Sequence, residues 1–268
     1  VVSPLKMVLC WKIIEELYMK SIIITGASAG FGESAARKLH AEGNSVLLLA
    51  RREDRLKKIT DELGENAQYY VIDVSNRKEV EDLFSNLPAG FKSADVIINN
   101  AGLALGAGKA PDVDLDDWDT MVDTNNKGLM YTSYFAAKLM KPLKKGQIIN
   151  IGSVSGETPY PGGNVYGATK AFVRHLSRNL RIDLHGLNIR VCNIEPGAVS
   201  ESEFSNVRFK GDDKKAASVY EGWDSLTSSD IADAIVWTIN LPERVNIDNI
   251  EIMPTAQTAA GLQIAKDQ

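Results

Sequence analysis

Apolar residues fall along this chain in short unbroken runs, separated by longer stretches with helical spacing. The runs Ile22–Thr25, Ser45–Ala50, Ala67–Ile72, Asp95–Asn99, Gly146–Gly152, Asn188–Ile194 and Ile247–Met253 read as strands. Between them, residues 30–42, 52–63, 76–86, 115–141, 164–184 and 228–239 carry helix patterns. Most strand runs are apolar without alternation, as strands covered on both faces require. Repeated strand–helix–strand units with right-handed crossovers predict the α/β class, with one doubly wound parallel sheet. No internal repeat, low-complexity segment or domain linker interrupts the pattern. One long stretch, roughly 196–225, lacks periodicity and is expected to be a lid or a partly disordered segment.

Composition narrows the classes. The chain has 268 residues, 44% apolar and 24% charged, which suits a single globular domain. The net charge of −5 gives no electrostatic reason to expect nucleic acid or an anionic membrane as partner. The apolar runs fall far short of the ~20 residues a membrane span needs. Cys10 and Cys192 form no disulfide framework, and a reducing cytoplasm is the expected compartment. Residues 1–18 precede Met19, which stands just before the first strand. They are expected to be upstream sequence, the rival being a short amphipathic docking helix; Lys12, Glu15 and Glu16 break their apolar stretch and argue against a signal peptide.

The turn after the first strand reads TGASAGFG, Thr25 to Gly32. Its glycines, Gly26, Gly30 and Gly32, let a backbone turn tightly and approach a pyrophosphate at a helix N-terminus. Ser28 and Phe31 lie within the same expected cofactor-binding turn. A plain tight turn is the alternative. The second strand ends at Arg51 and Arg52, where a binder of NAD would place an acid for the ribose 2′-hydroxyl. Two arginine forks instead suit a 2′-phosphate, and so NADP(H). A solvated basic pair is the alternative, although positive charge opposes a helix N-terminus unless Glu53 and Asp54 offset it. Asp73, followed by Val74, ends the third strand and could meet an adenine edge or cap the next helix. NNAG, with Asn100, Ala101 and Gly102, ends the fourth strand at the edge where such sheets bind ligands.

Ser153 ends the fifth strand at that same edge. Tyr166 and Lys170 follow on the next helix, four residues apart and hence on one face, a phenol beside an ammonium. Asn125 lies earlier, in DTNNKG. Three features carry no chemistry. His40, His175 and His185 show no metal-ligand spacing, so no metal is expected. Asp116 and Asp117 read as helix-start charge, and GDDKK as solvated loop.

T-G-x-x-x-G-x-G, N-N-A-G, N-x-x-G, Ser, Y-x-x-x-K and P-G, in this order and spacing, resemble the short-chain dehydrogenase/reductase family from about Met19 to Met253. NNAGLALG, DTNNKG, GGNVYGATKAFVR and EFSNVRFKGDD are closer still to its bacterial NADP-dependent 3-hydroxy acid dehydrogenases. These act on serine, allo-threonine and 3-hydroxypropionate. The resemblance implies a single-domain Rossmann fold, seven parallel strands flanked by helices on both faces, spanning 19–268. It also implies hydride transfer between a 3-hydroxy acid and NADP. Tyr166 would be the acid and base, Lys170 would lower its pKa and hold the nicotinamide ribose, and Ser153 would hold the reacting oxygen. Asn125 would hold a water that links Lys170 to solvent. Pro196, Gly197 and Val199 would cover the nicotinamide. A homotetramer packing its long helices is the implied assembly. One departure stands out: many NADP-dependent members carry a basic residue where this chain has Ala29, so the 2′-phosphate would depend on Arg51 and Arg52. Arg208, in the irregular stretch, is expected to anchor the substrate carboxylate, the alternative being a solvated loop charge. Another family reductase, acting on a ketoacyl carrier or small ketone, and a non-catalytic NADP-binding sensor are the rival readings.

Overall fold

The computed structural model describes residues 19–200, 202–258 and 264, so the expectation for residues 1–18 lies outside the described residues. The sheet is built from β1 (Ser21–Thr25), β2 (Ser45–Ala50), β3 (Ala67–Val71), β4 (Val96–Asn99), β5 (Gly146–Ile151), β6 (Ile189–Pro196) and β7 (Asn249–Ile252). Their order is β3-β2-β1-β4-β5-β6-β7, and every pairing is parallel. The chain winds outward from β1 to β3, then returns past it to β4. That reversal opens a crevice at the carboxyl ends of β1 and β4.

Alternation along the strands sends neighbouring side chains to opposite faces. Ile22 and Ile24 pack on one face with α1 (Gly30–Ala41), α2 (Glu53–Leu63) and α9 (Ser228–Asn240). Ile23 packs on the other with α3 (Arg77–Ser85) and α5 (Leu129–Met140). Both faces are covered, which is why central strands tolerate no polar alternation. The edge strand β3 is the exception: Tyr70 and Val71 are exposed.

Asparagines interrupt this apolar core in one row across the sheet. Asn99, Asn150 and Asn193 occupy paired positions on β4, β5 and β6 and are buried. Asn99 donates to Asn150 at 2.8 Å, and Asn150 to Ser177 at 2.8 Å. Thr132 donates to Asn99 at 2.7 Å, tying α5 to the sheet. Asn193 donates instead to Glu195 and Asn249, and its own side-chain oxygen has no hydrogen-bond partner among the described residues; the row lies near the strands' carboxyl ends.

Two expectations need correction. The helix expected over 115–141 is interrupted. It comprises α4 (Leu115–Val122), a π-helical stretch (Asp123–Gly128) and α5. Within the π stretch the Asn125 side chain turns inward and bonds the backbone of Leu103, 22 residues back in the chain. The 196–225 stretch is also more ordered than expected. It holds α7 (Phe204–Arg208) and α8 (Asp213–Ser218), the latter capped by Asp212, whose carboxylate accepts from the Lys215 amide at 3.0 Å. The charges of GDDKK therefore start a helix. No described helix is long and apolar enough to cross a membrane.

Candidate active site

A cleft of about 590 Å³ opens at the carboxyl edge of the sheet. One wall is the turn between β1 and α1. Gly26 has φ +64°, and a Cβ there would lie 2.8 Å from the Ala101 Cα. A Cβ on Gly32 would lie 2.6 Å from both the Gly26 carbonyl and the Asn100 amide nitrogen. Asn100 braces the turn by donating to the Thr25 and Gly26 carbonyls at 3.0 and 3.1 Å. Thr25 in turn accepts from the Asn100 and Ala101 amides, each at 3.0 Å. The N-terminus of α1 has no side-chain cap, and its first residues line the cleft. Ser202 places a buried hydroxyl without a hydrogen-bond partner at the same cleft. Uncapped amides, a backbone approach only glycine permits and an orphaned hydroxyl together fit a pyrophosphate.

Arg51 and Arg52 line the cleft beyond this turn. Arg52 places Nε and Nη2 on the Ser28 hydroxyl at 3.1 and 2.9 Å. Its Nη1 meets Glu203 at 2.6 Å, as does Arg55 Nη1. Burial opposes the Glu203 charge, but hydrogen bonds from Arg52 and Arg55 outweigh it and hold the carboxyl below its ordinary range. Neither Glu203 nor Arg55 is suggested by sequence, because the ion pair joins segments about 150 residues apart. Glu53 and Asp54 do stand in the first turn of α2, where they offset the arginines against the helix dipole. Asp73 lines the cleft but is not a helix cap: Asn76 caps α3, while Asp73 accepts from the Ser75 amide and hydroxyl. Val74 stands beside it in the lining, and Phe31, Gly102, Pro196, Gly197 and Val199 complete the expected surface.

The other end of the cleft is built by α6 (Asn164–Asp183), which carries Tyr166 and Lys170. Both are buried, at 8% and 7% exposure. Burial pushes the Tyr166 phenol up, and Tyr160 adds to this. Hydrogen bonds from Ser153, the Arg208 charge and a hydrogen bond from Ser155 pull it back without restoring it. Lys170 Nζ donates to the Ile151 carbonyl at 2.8 Å and lies 5.9 Å from the Tyr166 ring centre. Burial lowers its pKa to about 8. The expectation that Lys170 holds the phenol pKa down is thus not met by these residues alone. Helical spacing puts both side chains on one face, but the lysine stem reaches back to β5. Ser153 accepts from the Ser155 hydroxyl at 2.9 Å and amide at 3.2 Å. Asn125 accepts from the Leu103 amide at 2.9 Å and donates to Thr169 at 3.1 Å. A Cβ on Gly102 would lie 3.2 Å from Asn125 Oδ1 and 3.5 Å from Lys170 Nζ, so Gly102 borders both polar groups.

Arg208 ends α7 at this end of the cleft. Its Nη1 donates to the Tyr160 hydroxyl at 2.9 Å, Nε to the Gly106 carbonyl at 3.0 Å, and Nη2 to the Gly162 carbonyl at 3.2 Å. The guanidinium lies 6.0 Å over the Tyr166 ring, and the Phe204 ring centre is 5.5 Å from that of Tyr166. Tyr160 and Phe204 escaped sequence reasoning, since each is an ordinary loop aromatic until the fold brings it to Tyr166. Nearby Lys210 is paired with Asp117 at 2.9 Å, which gives that helix-start acid a partner just beyond α7. Away from the cleft, Glu157, Glu195 and Glu251 bring carboxylate oxygens within 4.8 Å of one another. Arg174 bridges the first two and supplies a cation there.

Known proteins share this chain's sequence and fold. The family pattern described as short chain dehydrogenase covers residues 20–212. The NADP-dependent 3-hydroxy acid dehydrogenase of Salmonella typhi is 51% identical over 243 residues, 91% of this chain and 98% of that protein. The serine 3-dehydrogenase of Agrobacterium fabrum is 43% identical over 248 residues, 92% of this chain and 98% of that protein. Among solved structures, the closed form of a serine dehydrogenase complexed with NADP+ superposes with a TM-score of 0.89 at 48% identity, covering 92% of this chain and all of that one. The protein belongs to the short-chain dehydrogenase/reductase family and is an oxidoreductase acting on CH–OH groups.

Proposed function

We propose that this enzyme interconverts short-chain 3-hydroxy acids, of the serine, allo-threonine and 3-hydroxypropionate type, and the corresponding 3-oxo acids with NADP(H). The observation that carries the reading is the placing of the Arg208 guanidinium 6.0 Å over the ring of buried Tyr166. Beyond its bonds to Tyr160, Gly106 and Gly162, Arg208 keeps one N–H on each of Nη1 and Nη2, so donors for a carboxylate stand next to an acid and base for a hydroxyl. A substrate bearing both groups a few bonds apart could meet both. The names of the relatives support the substrate class and the cofactor.

Gly26, Gly32 and the α1 N-terminus would hold the pyrophosphate, Arg51 and Arg52 the 2′-phosphate, and Lys170 the nicotinamide ribose. NADP, when bound, supplies the hydride acceptor, and NADPH the donor. Tyr166 Oη takes the proton from the substrate hydroxyl, or returns it to the carbonyl oxygen. Ser153 Oγ holds that oxygen in line. Burial keeps the Tyr166 phenol protonated, so it carries the proton that the reductive direction needs but releases it less readily than a solvated phenol. In the oxidative direction it needs positive charge nearby, from Arg208, from Lys170 while protonated, and from the oxidised nicotinamide. Asn125 stands by Lys170 across Gly102 and would link it to solvent through a water. Phe204, packed against the Tyr166 ring, would keep water from the reacting carbon. Exposed Met130 and Tyr134 on α5, with Phe172 and Ile182 on α6, support a homotetramer packed through these helices.

The test is a screen of wild-type enzyme with NADP and NAD against serine, allo-threonine, 3-hydroxyisobutyrate and 3-hydroxypropionate, with a ketoacyl thioester in the reverse direction. The reading expects NADP-dependent turnover of the hydroxy acids. Turnover of the thioester alone would reject it.

A further inference from the structure

We propose that Glu203 is a specificity-determining residue whose carboxylate competes with the cofactor's 2′-phosphate for Arg52. The inference rests on the NADP reading of the Arg51 and Arg52 end. Glu203 accepts from Arg52 Nη1 and Arg55 Nη1, both at 2.6 Å. Arg52 spends Nε and Nη2 on Ser28, within the phosphate turn. Its guanidinium therefore faces the cleft with Nη1 committed to an acid of the lid.

A phosphate dianion is a stronger acceptor than a carboxylate and takes the same fork. Exchange is feasible because the partners are not locked away: the Glu203, Arg52 and Arg55 side chains are 38%, 42% and 43% exposed, and such ion pairs are weak. When a phosphate reaches Arg52, Arg55 remains to hold Glu203. The sign for affinity follows from charge. An acid in contact with the phosphate-binding arginine repels the 2′-phosphate and lowers the local positive potential. A cofactor with a 2′-hydroxyl meets no such repulsion, so the acid narrows the preference for NADP(H) over NAD(H).

The position of Glu203 in the chain adds a second consequence. It immediately precedes α7, whose first residue, Phe204, packs on Tyr166 and whose last, Arg208, lies over it. A helix of this length spans only about 7.5 Å. The carboxylate that answers to the 2′-phosphate is thus rigidly linked to the residues that cover the substrate.

The experiment measures binding of NADPH and NADH to full-length wild type, Glu203→Gln and Glu203→Ala by nicotinamide fluorescence, over a range of salt. Glu203→Gln should tighten NADPH by about 5- to 20-fold, leave NADH within about twofold, and steepen the salt dependence of NADPH binding. Glu203→Ala should move the same way, which separates the charge from any effect of the amide. NADPH binding that is unchanged or weakened in both variants, with wild type still preferring NADPH, overturns the competition. Wild type binding NADH as well as NADPH instead overturns the NADP reading itself.

Discussion

The two ends of the cleft are built on opposite electrostatic terms. At the phosphate end the charges are half-exposed, mutually paired and held by side chains that can exchange partners: Arg52, Arg55 and Glu203. At the catalytic end Tyr166 and Lys170 are more than nine-tenths buried, and burial is the largest influence on both. Solvent screens the first end, so a substitution there changes affinity by modest factors. The second end is desolvated, so its charge states are costly to the fold and, on the proposed mechanism, decisive for chemistry. On the proposed reading, one cleft thus separates a tunable binding end from an end where stability is given up for reactivity.

Removing the buried ammonium tests this most severely. Lys170→Met should lower turnover by about 10²–10⁴-fold and remove the pH-dependent cost of burying the charge, offset by loss of the hydrogen bond to the Ile151 carbonyl. The folded pKa of about 8 lies below the ordinary 10.5, so the charged lysine destabilises the fold below pH 8. A shift of that size corresponds to roughly 3 kcal/mol at pH 7. The penalty fades as pH rises from about 8 to 10.5, where the unfolded lysine also loses its proton. Denaturant melts of both proteins at pH 7 and pH 10 should show the variant's advantage shrinking at the higher pH. An advantage independent of pH would mean that packing, not charge, sets it.

Next in size is Arg208→Ala, which should raise KM for a carboxylate substrate by about 10- to 100-fold, as loss of a charge-assisted hydrogen bond predicts. Its effect on a substrate analogue lacking the carboxylate should be much smaller. An unchanged KM for 3-hydroxy acids would remove Arg208 from recognition. A smaller or equal effect is expected at the glycine turn. Gly32→Ala forces a Cβ against the Gly26 carbonyl and Asn100, a crowding worth about 1–3 kcal/mol. It should appear as weaker NADPH binding with KM for substrate little altered, measured at saturating cofactor.

Sequence and structure part company along this same division. The glycine turn, the strand ends and the Tyr166–Lys170 face are legible because each depends on local spacing: a positive φ, a strand's carboxyl end, one helical turn. The parallel, doubly wound class follows from the alternation of runs and helices, whereas the strand order is read only from the structure. What local spacing cannot carry is partner choice. Lys170 settles on the Ile151 carbonyl, 19 residues back on another element. Glu203 meets arginines from the opposite wall, and Tyr160 and Phe204 become site residues only through Arg208 and Tyr166. The π stretch was hidden for the same reason, since its Asn125 bonds the backbone of Leu103, 22 residues away.

The most direct measurement compares NADPH binding and single-turnover reduction of a 3-oxo acid in wild type and Tyr166→Phe. With Tyr166 as the proton carrier, the variant binds NADPH within about twofold of wild type while its hydride-transfer step slows by about a hundredfold or more. A variant that keeps more than about a tenth of the wild-type rate would assign the proton transfer to another group and contradict the account.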